Sequence, residues 1–437
     1  MLGCGSDSET DKPPPEVAPD LSWGEHVSFD TVRFVRPPGE TYGSGDGSSW
    51  ENAYAGLPSG LERGTRYYLA SGDYGSNPFR LETPEDGERY IGLFKATAND
   101  HGDDVGWNTD LGEGPATMGP VAIITGYYLL DGQVGQRTSG YGFELRTDDC
   151  QNDQAKIVNF PWDSAGHHVI LRHLDLGLCG SLPDEQPSHD VIYGNVVVTH
   201  VRVEHCYLHD ANRGHFLTRG WRNILIDGCY FARSGRFQEN SSLNFGGGTG
   251  DVTVRNSTFE DTQSTFVSLR GADNVRVYNN VFFSVLGEWE IYSSIEITGD
   301  GGADHVVVYG NTFVGLHGLN TGIRLGDGTD VQVRNNLWAG CRTNQIMLTG
   351  DHDYNAFYDN LRVDHDPPIP LDAERIEEDH AVFLDSDPFV DGAANDLHLA
   401  SPIPAGESLE APYDTDLDGN PRGTDGNWDR GAYEFAE

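Results

Sequence analysis

VRVEHCYL (Val201–Leu208), ILIDGCYF (Ile224–Phe231), VTVRNSTF (Val252–Phe259), VRVYNNVF (Val275–Phe282), VVVYGNTF (Val306–Phe313) and VQVRNNLW (Val331–Trp338) are one motif written six times. They recur at intervals of 23, 28, 23, 31 and 25 residues. Positions one and three are aliphatic and position eight is large and apolar, a period-two pattern that marks strands with one buried face. A second strand comes late in each repeat: HFLTRG, SSLNFGG, TFVSLRG, SSIEITG, TGIRLGDG and NQIMLTG. Coils this short leave no room for a helix between strands, which excludes TIM barrels and doubly wound sheets. The spacing predicts a parallel β-solenoid, with variable insertions at one corner.

The sixth position of the motif reads Cys206, Cys229, Ser257, Asn280, Asn311, Asn336. Stacked on coils about 4.8 Å apart, Asn amides there would hydrogen-bond up and down the stack and satisfy buried polar groups. Cys206 and Cys229 fall on adjacent coils, within reach of a disulfide; two stacked buried thiols is the alternative. Cys150 and Cys179 sit in loops and could pair in an exported protein, leaving Cys341 unpaired. None of the cysteine spacings suggests a zinc site. Weaker coils extend upstream through VILRHLDL from Val169, VAIITGYYLLDG from Val121 and RYYLASGDY from Arg66. Open solenoid ends need covering, and residues 31–60 and 375–437 are the expected caps. The sum is a right-handed parallel β-helix domain of about ten coils over 31–437.

The 437 residues carry 28 Lys and Arg against 69 Asp and Glu, a net charge of −41. That balance excludes nucleic acid and anionic membrane surfaces as partners. Met1-Leu2-Gly3-Cys4-Gly5-Ser6 has the look of the end of a lipoprotein signal, with Cys4 as the lipidated residue. The acidic, Pro-rich stretch to Asp20 reads as a solvated tether, so residues 1–30 form an anchor segment. The expectation is a secreted or cell-surface monomer, touching a membrane only through a lipid.

Three further stretches, GSGDGSSWENAYAGL from Gly43, KATANDHGDDVGW from Lys95 and DLDGNPRGTDGNWDRGAYEF from Asp416, complete a resemblance. With the repeats, over about residues 31–435, the chain resembles the bacterial right-handed parallel β-helix proteins of the pectate-lyase-like superfamily. That group holds polysaccharide lyases, hydrolases, epimerases and members without known activity. The resemblance implies a groove on one strand face bordered by long loops.

Here the long loops precede the second strand. Alternate residues of its outward face read His215, Leu217, Arg219; Ser242, Asn244, Gly246; Phe266, Ser268, Arg270; Ser294, Glu296, Thr298; Gly322, Arg324, Gly326. Three Arg around one Glu reverse the local sign of charge and suit carboxylates or sulfates on a sugar chain. The loops add His209, Asp210, Arg213, Arg236, Glu239, Trp289, Tyr292 and His317. A salt-bridge ladder between coils is the alternative for Arg270, Glu296 and Arg324. The other outward row, Glu204, Asp227, Arg255, Tyr278, Tyr309 and Arg334, reads best as cross-strand packing.

A β-eliminating lyase neutralises a uronate carboxylate with Arg or Ca²⁺ and removes the adjacent proton with a base. Arg219, Arg270 or Arg324 would do the first, and His215, Tyr292 or an Arg the second. No Lys follows Lys156, although Lys is a common base in related lyases, and their Trp-x-Asp-His strand signature is absent. A hydrolase needs two carboxylates, for which Glu296 with Glu288 or Glu290 is the nearest option. Asp414, Asp416, Asp418, Asn420 and Asp425 have calcium-loop spacing, with Gly419 at the turn. The leading expectation is an extracellular enzyme cleaving an anionic polysaccharide by β-elimination. A non-catalytic glycan-binding or adhesion protein and a glycoside hydrolase are the alternatives.

Overall fold

The computed structural model describes residues 21–147, 155–178, 189–235, 241–285, 291–298, 303–326, 328–348, 350–371 and 376–436. Cys4, the 6–20 tether, Cys150, Cys179, Arg236, Glu239, Glu288, Trp289 and Glu290 lie outside them.

Three parallel sheets run the length of the molecule. The first has thirteen strands, the second twelve and the third nine. A full coil contributes one strand to each, as in Thr199–Glu204, Tyr207–Ala211 and Gly214–Arg219, and coils at the two ends lack one or two of the three. The six motifs stack in register, with Val201, Ile224, Val252, Val275, Val306 and Val331 opposite one another and buried. The Val169, Val121 and Arg66 segments continue the stack upstream. Of the late strands, the first five belong to the third sheet. The sixth departs: Arg342–Gln345 joins a small four-stranded sheet with His317–Asn320.

Each eight-residue motif is two strands, not one, because its fifth residue turns the chain. His205, Gly228, Asn256, Asn279, Gly310 and Asn335 all have φ between 49° and 63°. That left-handed region costs least for Gly and Asn, which explains why the fifth position is almost confined to them. The sixth residue then points inward at the bend. Asn280 Oδ1 accepts from Ser257 N–H, Asn311 Oδ1 from Asn280 N–H and Asn336 Oδ1 from Asn311 N–H, at 2.9–3.0 Å. The ladder runs one coil further, to Asn355, and ends where Asn355 donates to both oxygens of the buried Glu378. Beside it the eighth-position rings stack face to face. Phe231, Phe259, Phe282, Phe313, Trp338, Phe357 and Phe383 have successive centroids 4.6–5.6 Å apart.

Cys206 and Cys229 head the ladder as free thiols, not a disulfide. Cys206 Sγ donates to the Glu204 carbonyl and Cys229 Sγ to the Val203 carbonyl, both at 3.3 Å. Burial pushes the Cys229 thiol well above its ordinary pKa.

The terminal segments cover sides as well as ends. Thr31–Arg36 is itself a strand of the first sheet. Trp23, Val27, Phe29, Trp50 and Trp107 pack on that sheet's outer face over Phe34, Tyr68, Phe94, Leu129 and Ile170. The last coil strand is Val382–Leu384, after which the chain runs back along the outside. Leu397, Leu399, Ile403 and Ala432 cover the second sheet's outer face, and Leu409 and Tyr413 cover Tyr278 and Tyr309 on the first. The left-handed asparagines anchor this strap: Asn279 donates to the Thr415 carbonyl and Asn335 to the Glu407 carbonyl, each at 2.7 Å. Two of the three outer faces are thus covered by the chain's own ends. Among the described residues, the third sheet keeps a polar outer row.

Candidate functional site

On the third sheet, strand pairing sets Tyr193, Leu217, Asn244, Ser268, Glu296 and Arg324 in one outward row on successive coils. Arg219 and Arg270 lie two residues further along their strands, two coils apart, so about 9–10 Å. Arg219 is exposed, its stem lying over Gly246, and has no hydrogen-bond or ion-pair partner among the described residues. Glu296, its side chain 9% exposed, sits between two guanidinium groups, Arg324 Nη1 at 3.2 Å and Arg270 Nη2 at 3.8 Å. Arg270 Nε also donates to Ser268 Oγ at 3.2 Å. Arg324 donates to the Tyr292 hydroxyl, and its guanidinium stands 4.8 Å from that ring's centroid. The arrangement is a carboxylate shared by two half-exposed Arg, with a phenol held at one end. The coil-to-coil ion pairs of the structural alternative are present; Arg219 is the cation they leave over.

His215 is not on this face. At the corner entering the third sheet both His215 and Phe216 point inward, breaking the strict alternation, and both are fully buried. Its ring hydrogen-bonds Ser242 Oγ at 2.8 Å and the Ala232 carbonyl at 3.0 Å, and burial pushes its pKa down to about 3. Phe266, Ser242 and Ser294, expected to point outward with it, are buried too. Asn244 is half-buried in the outward row, beside Ser268.

His209 and Asp210 belong to a strand of the second sheet, not to a loop. His209 is clamped between Asp175 at 2.8 Å and Asp210 at 2.6 Å. Burial alone would lower its pKa, but the two carboxylates raise it. Arg213 pairs with the fully buried Asp190, which also takes Lys156 Nζ at 3.0 Å. Burial lowers the Lys156 pKa against the pull of Asp190. Lys156 stands 4.8 Å from the Tyr193 ring, so a lysine does reach the third sheet, upstream of the six repeats. His317 begins a strand of the small sheet, and its backbone carbonyl accepts from Ile291 N–H.

The acidic C-terminal run does not converge on a point. Asp416 is buried and accepts from the backbone N–H groups of Asn420 and Glu434, and from the Asn420 side chain. Asp418 pairs with His398 at 2.8 Å, Asp425 accepts from Asn427 N–H, and the Asp414 carbonyl takes Arg422 N–H. Among the described residues, no three His, Cys, Asp or Glu side chains are grouped to hold a metal ion. The bonds of Asp416 and Asn420 fix the turn at which the strap doubles back.

Sequence reasoning missed Trp162. It follows the strand Lys156–Phe160, next to the edge position that Arg219 occupies two coils later, and its side chain is 89% exposed. Nothing in the sequence marks it, because its coil lacks the repeat motif.

A family model described as "Right handed beta helix region" matches residues 186–313 and 242–365. A comparison with curated proteins returned no match. Among solved structures, pectate lyase Pel9A aligns over 94% of this chain and 98% of its own, with TM-score 0.54 and 14% identity. An alginate lyase from Paenibacillus sp. str. FPU-7 aligns over 81% and 97%, with TM-score 0.43 and 11% identity. The chain is an all-β, right-handed parallel β-helix, and its likeness to these lyases is distant and structural. The Pel9A alignment shows a shared fold; it does not transfer a reaction.

Proposed function

We propose that this chain is a carbohydrate-active β-helix protein that engages an anionic, uronate-containing polysaccharide along the outer face of its third sheet. The observation that carries this reading is the placement of Arg219, Arg270 and Arg324 on the outer face that, among the described residues, the chain's own ends leave uncovered, in a protein of net charge −41. Guanidinium forks pair with carboxylates through charge-assisted hydrogen bonds, and Trp162 offers a flat ring for a sugar at the upstream edge.

The reaction these groups suit is β-elimination. Arg219 and Arg270 would neutralise the uronate carboxylate and acidify the proton beside it. Tyr292, reacting as its phenolate beside Arg324, would take that proton as a C=C bond forms and the glycosidic C–O bond breaks, and would pass it to the leaving oxygen. One observation favours a second reading, a non-catalytic binding protein. With His215 buried, Tyr292 is the remaining base of those first considered, apart from an Arg.

The test is absorbance of the unsaturated uronate product from polygalacturonate and alginate, with calcium and with chelator. Product that Tyr292→Phe and Arg270→Ala each abolish supports the lyase. Binding without product, and without new reducing ends, establishes the second reading. Neither binding nor product removes the proposal.

A further inference from the structure

A cavity of about 560 Å³ lies away from the third sheet. It lies where the returning C-terminal strap meets the corner between the first and second sheets. We infer that this cleft is a second carbohydrate site, one that takes a short neutral saccharide. Its floor is Tyr230 and Asn256. One wall is the loop carrying Arg137 and Tyr141; the other is the strap, with His398 and Tyr433.

Three features point to a neutral, hydroxyl-rich ligand. Tyr141, Tyr230 and Tyr433 line one cleft; the Tyr141 and Tyr230 rings are buried, and their hydroxyls donate to the Arg137 carbonyl at 2.9 Å and to Glu260 at 2.5 Å, so each hydroxyl oxygen is left to accept from a sugar hydroxyl. Arg137 is exposed and reaches into the cleft, where its charge acts on both Tyr230 and Tyr433. Its side chain has no hydrogen-bond or ion-pair partner among the described residues, so its donors are open to a ligand.

Facing it, His398 is held by Asp396 at 2.6 Å and Asp418 at 2.8 Å. Each of these carboxylates keeps acceptor capacity beyond the imidazole. Donors on one wall and acceptors on the other match hydroxyl groups, which do both. An anionic sugar would instead bring its charge against Asp396 and Asp418. The two proposed sites therefore divide by charge, the third sheet for uronates and this cleft for neutral units. A polysaccharide carrying both could engage both.

The experiment is isothermal titration calorimetry on the full chain with cellobiose, lactose and N,N′-diacetylchitobiose, and with digalacturonate as the charged probe. The inference predicts that at least one neutral disaccharide binds with 1:1 stoichiometry. Arg137→Ala and His398→Ala, both at exposed positions, should each weaken it about tenfold or more, while Arg270→Ala leaves it unchanged. No heat from any neutral probe overturns the inference, as does binding that survives both cleft variants. Failure of the third-sheet proposal shows in the digalacturonate arm alone, so the two outcomes separate.

Discussion

Asn311→Ala should unravel the polar ladder locally, at a cost that the hydrogen bonds set. Asn311 Oδ1 accepts from the Asn280 backbone N–H and from the Asn280 amide, both at 3.0 Å. Its Nδ2 donates to the Val277 carbonyl at 2.9 Å, the Tyr309 carbonyl at 3.2 Å and Asn336 Oδ1 at 3.0 Å. The Asn280 amide keeps the Val254 and Tyr278 carbonyls after truncation, but its buried N–H loses this acceptor. One stranded donor costs about 1–3 kcal/mol, and the space left by the amide adds to it, giving about 3–5 kcal/mol in all. Asn244→Ala, on the outward row of the third sheet, should stay within about 0.5 kcal/mol. Urea unfolding compares the two, and hydrogen exchange at the Asn280 amide reads the local effect without assuming all-or-none unfolding of a solenoid. Equal stability of the two variants, with the Asn280 amide still protected in Asn311→Ala, would refute the claim that the ladder carries stability.

Further outcomes follow from the same geometry. His215 is neutral when folded, with a pKa near 3, against about 6.5 when unfolded. The unfolded chain therefore takes up a proton that the folded one refuses, and this contribution to stability is lost as pH falls from about 6.5 towards 3, to a limit of about 4–5 kcal/mol. His215→Gln should flatten the fall in urea-derived stability between those pH values; an unchanged slope would contradict it. Alkylation without reductant should label both Cys206 and Cys229 once the protein is unfolded, and neither while it is folded. Protection in the unfolded, unreduced chain would show a disulfide instead. Trp162→Ala should leave the unfolding midpoint unchanged and weaken polygalacturonate binding about tenfold; a loss of stability would mean the ring packs against something.

The fold was legible because a solenoid repeats its core: every motif must present Val or Ile at the same two positions and a large apolar residue at the eighth. The polar ladder was legible for the same reason. Three strands per coil were harder to read, since the left-handed fifth residue interrupts the alternation that otherwise reads as one strand. His215 was misplaced by the same cause at another corner, where two successive side chains turn inward. Glu378 closes the Asn ladder from a segment with no repeat. In the sequence the strap reads as an end cap, because its contacts, Asn279 to Thr415 and Asn335 to Glu407, link residues with no shared pattern. The Arg270–Glu296–Arg324 cluster is legible because its members fall on alternate, outward positions of neighbouring repeats. Trp162 lies where the motif fades, so no repeat position marks it.

The central claim is that the third sheet's outer face holds an anionic polysaccharide. Its most direct test is affinity electrophoresis in gels cast with polygalacturonate or alginate, comparing the wild-type chain with Arg219→Ala/Arg270→Ala/Arg324→Ala. Retardation of the wild type that weakens with salt, and that the triple variant loses while staying folded, is the result expected. Equal retardation of the two proteins, or none for the wild type in either polymer, would contradict it.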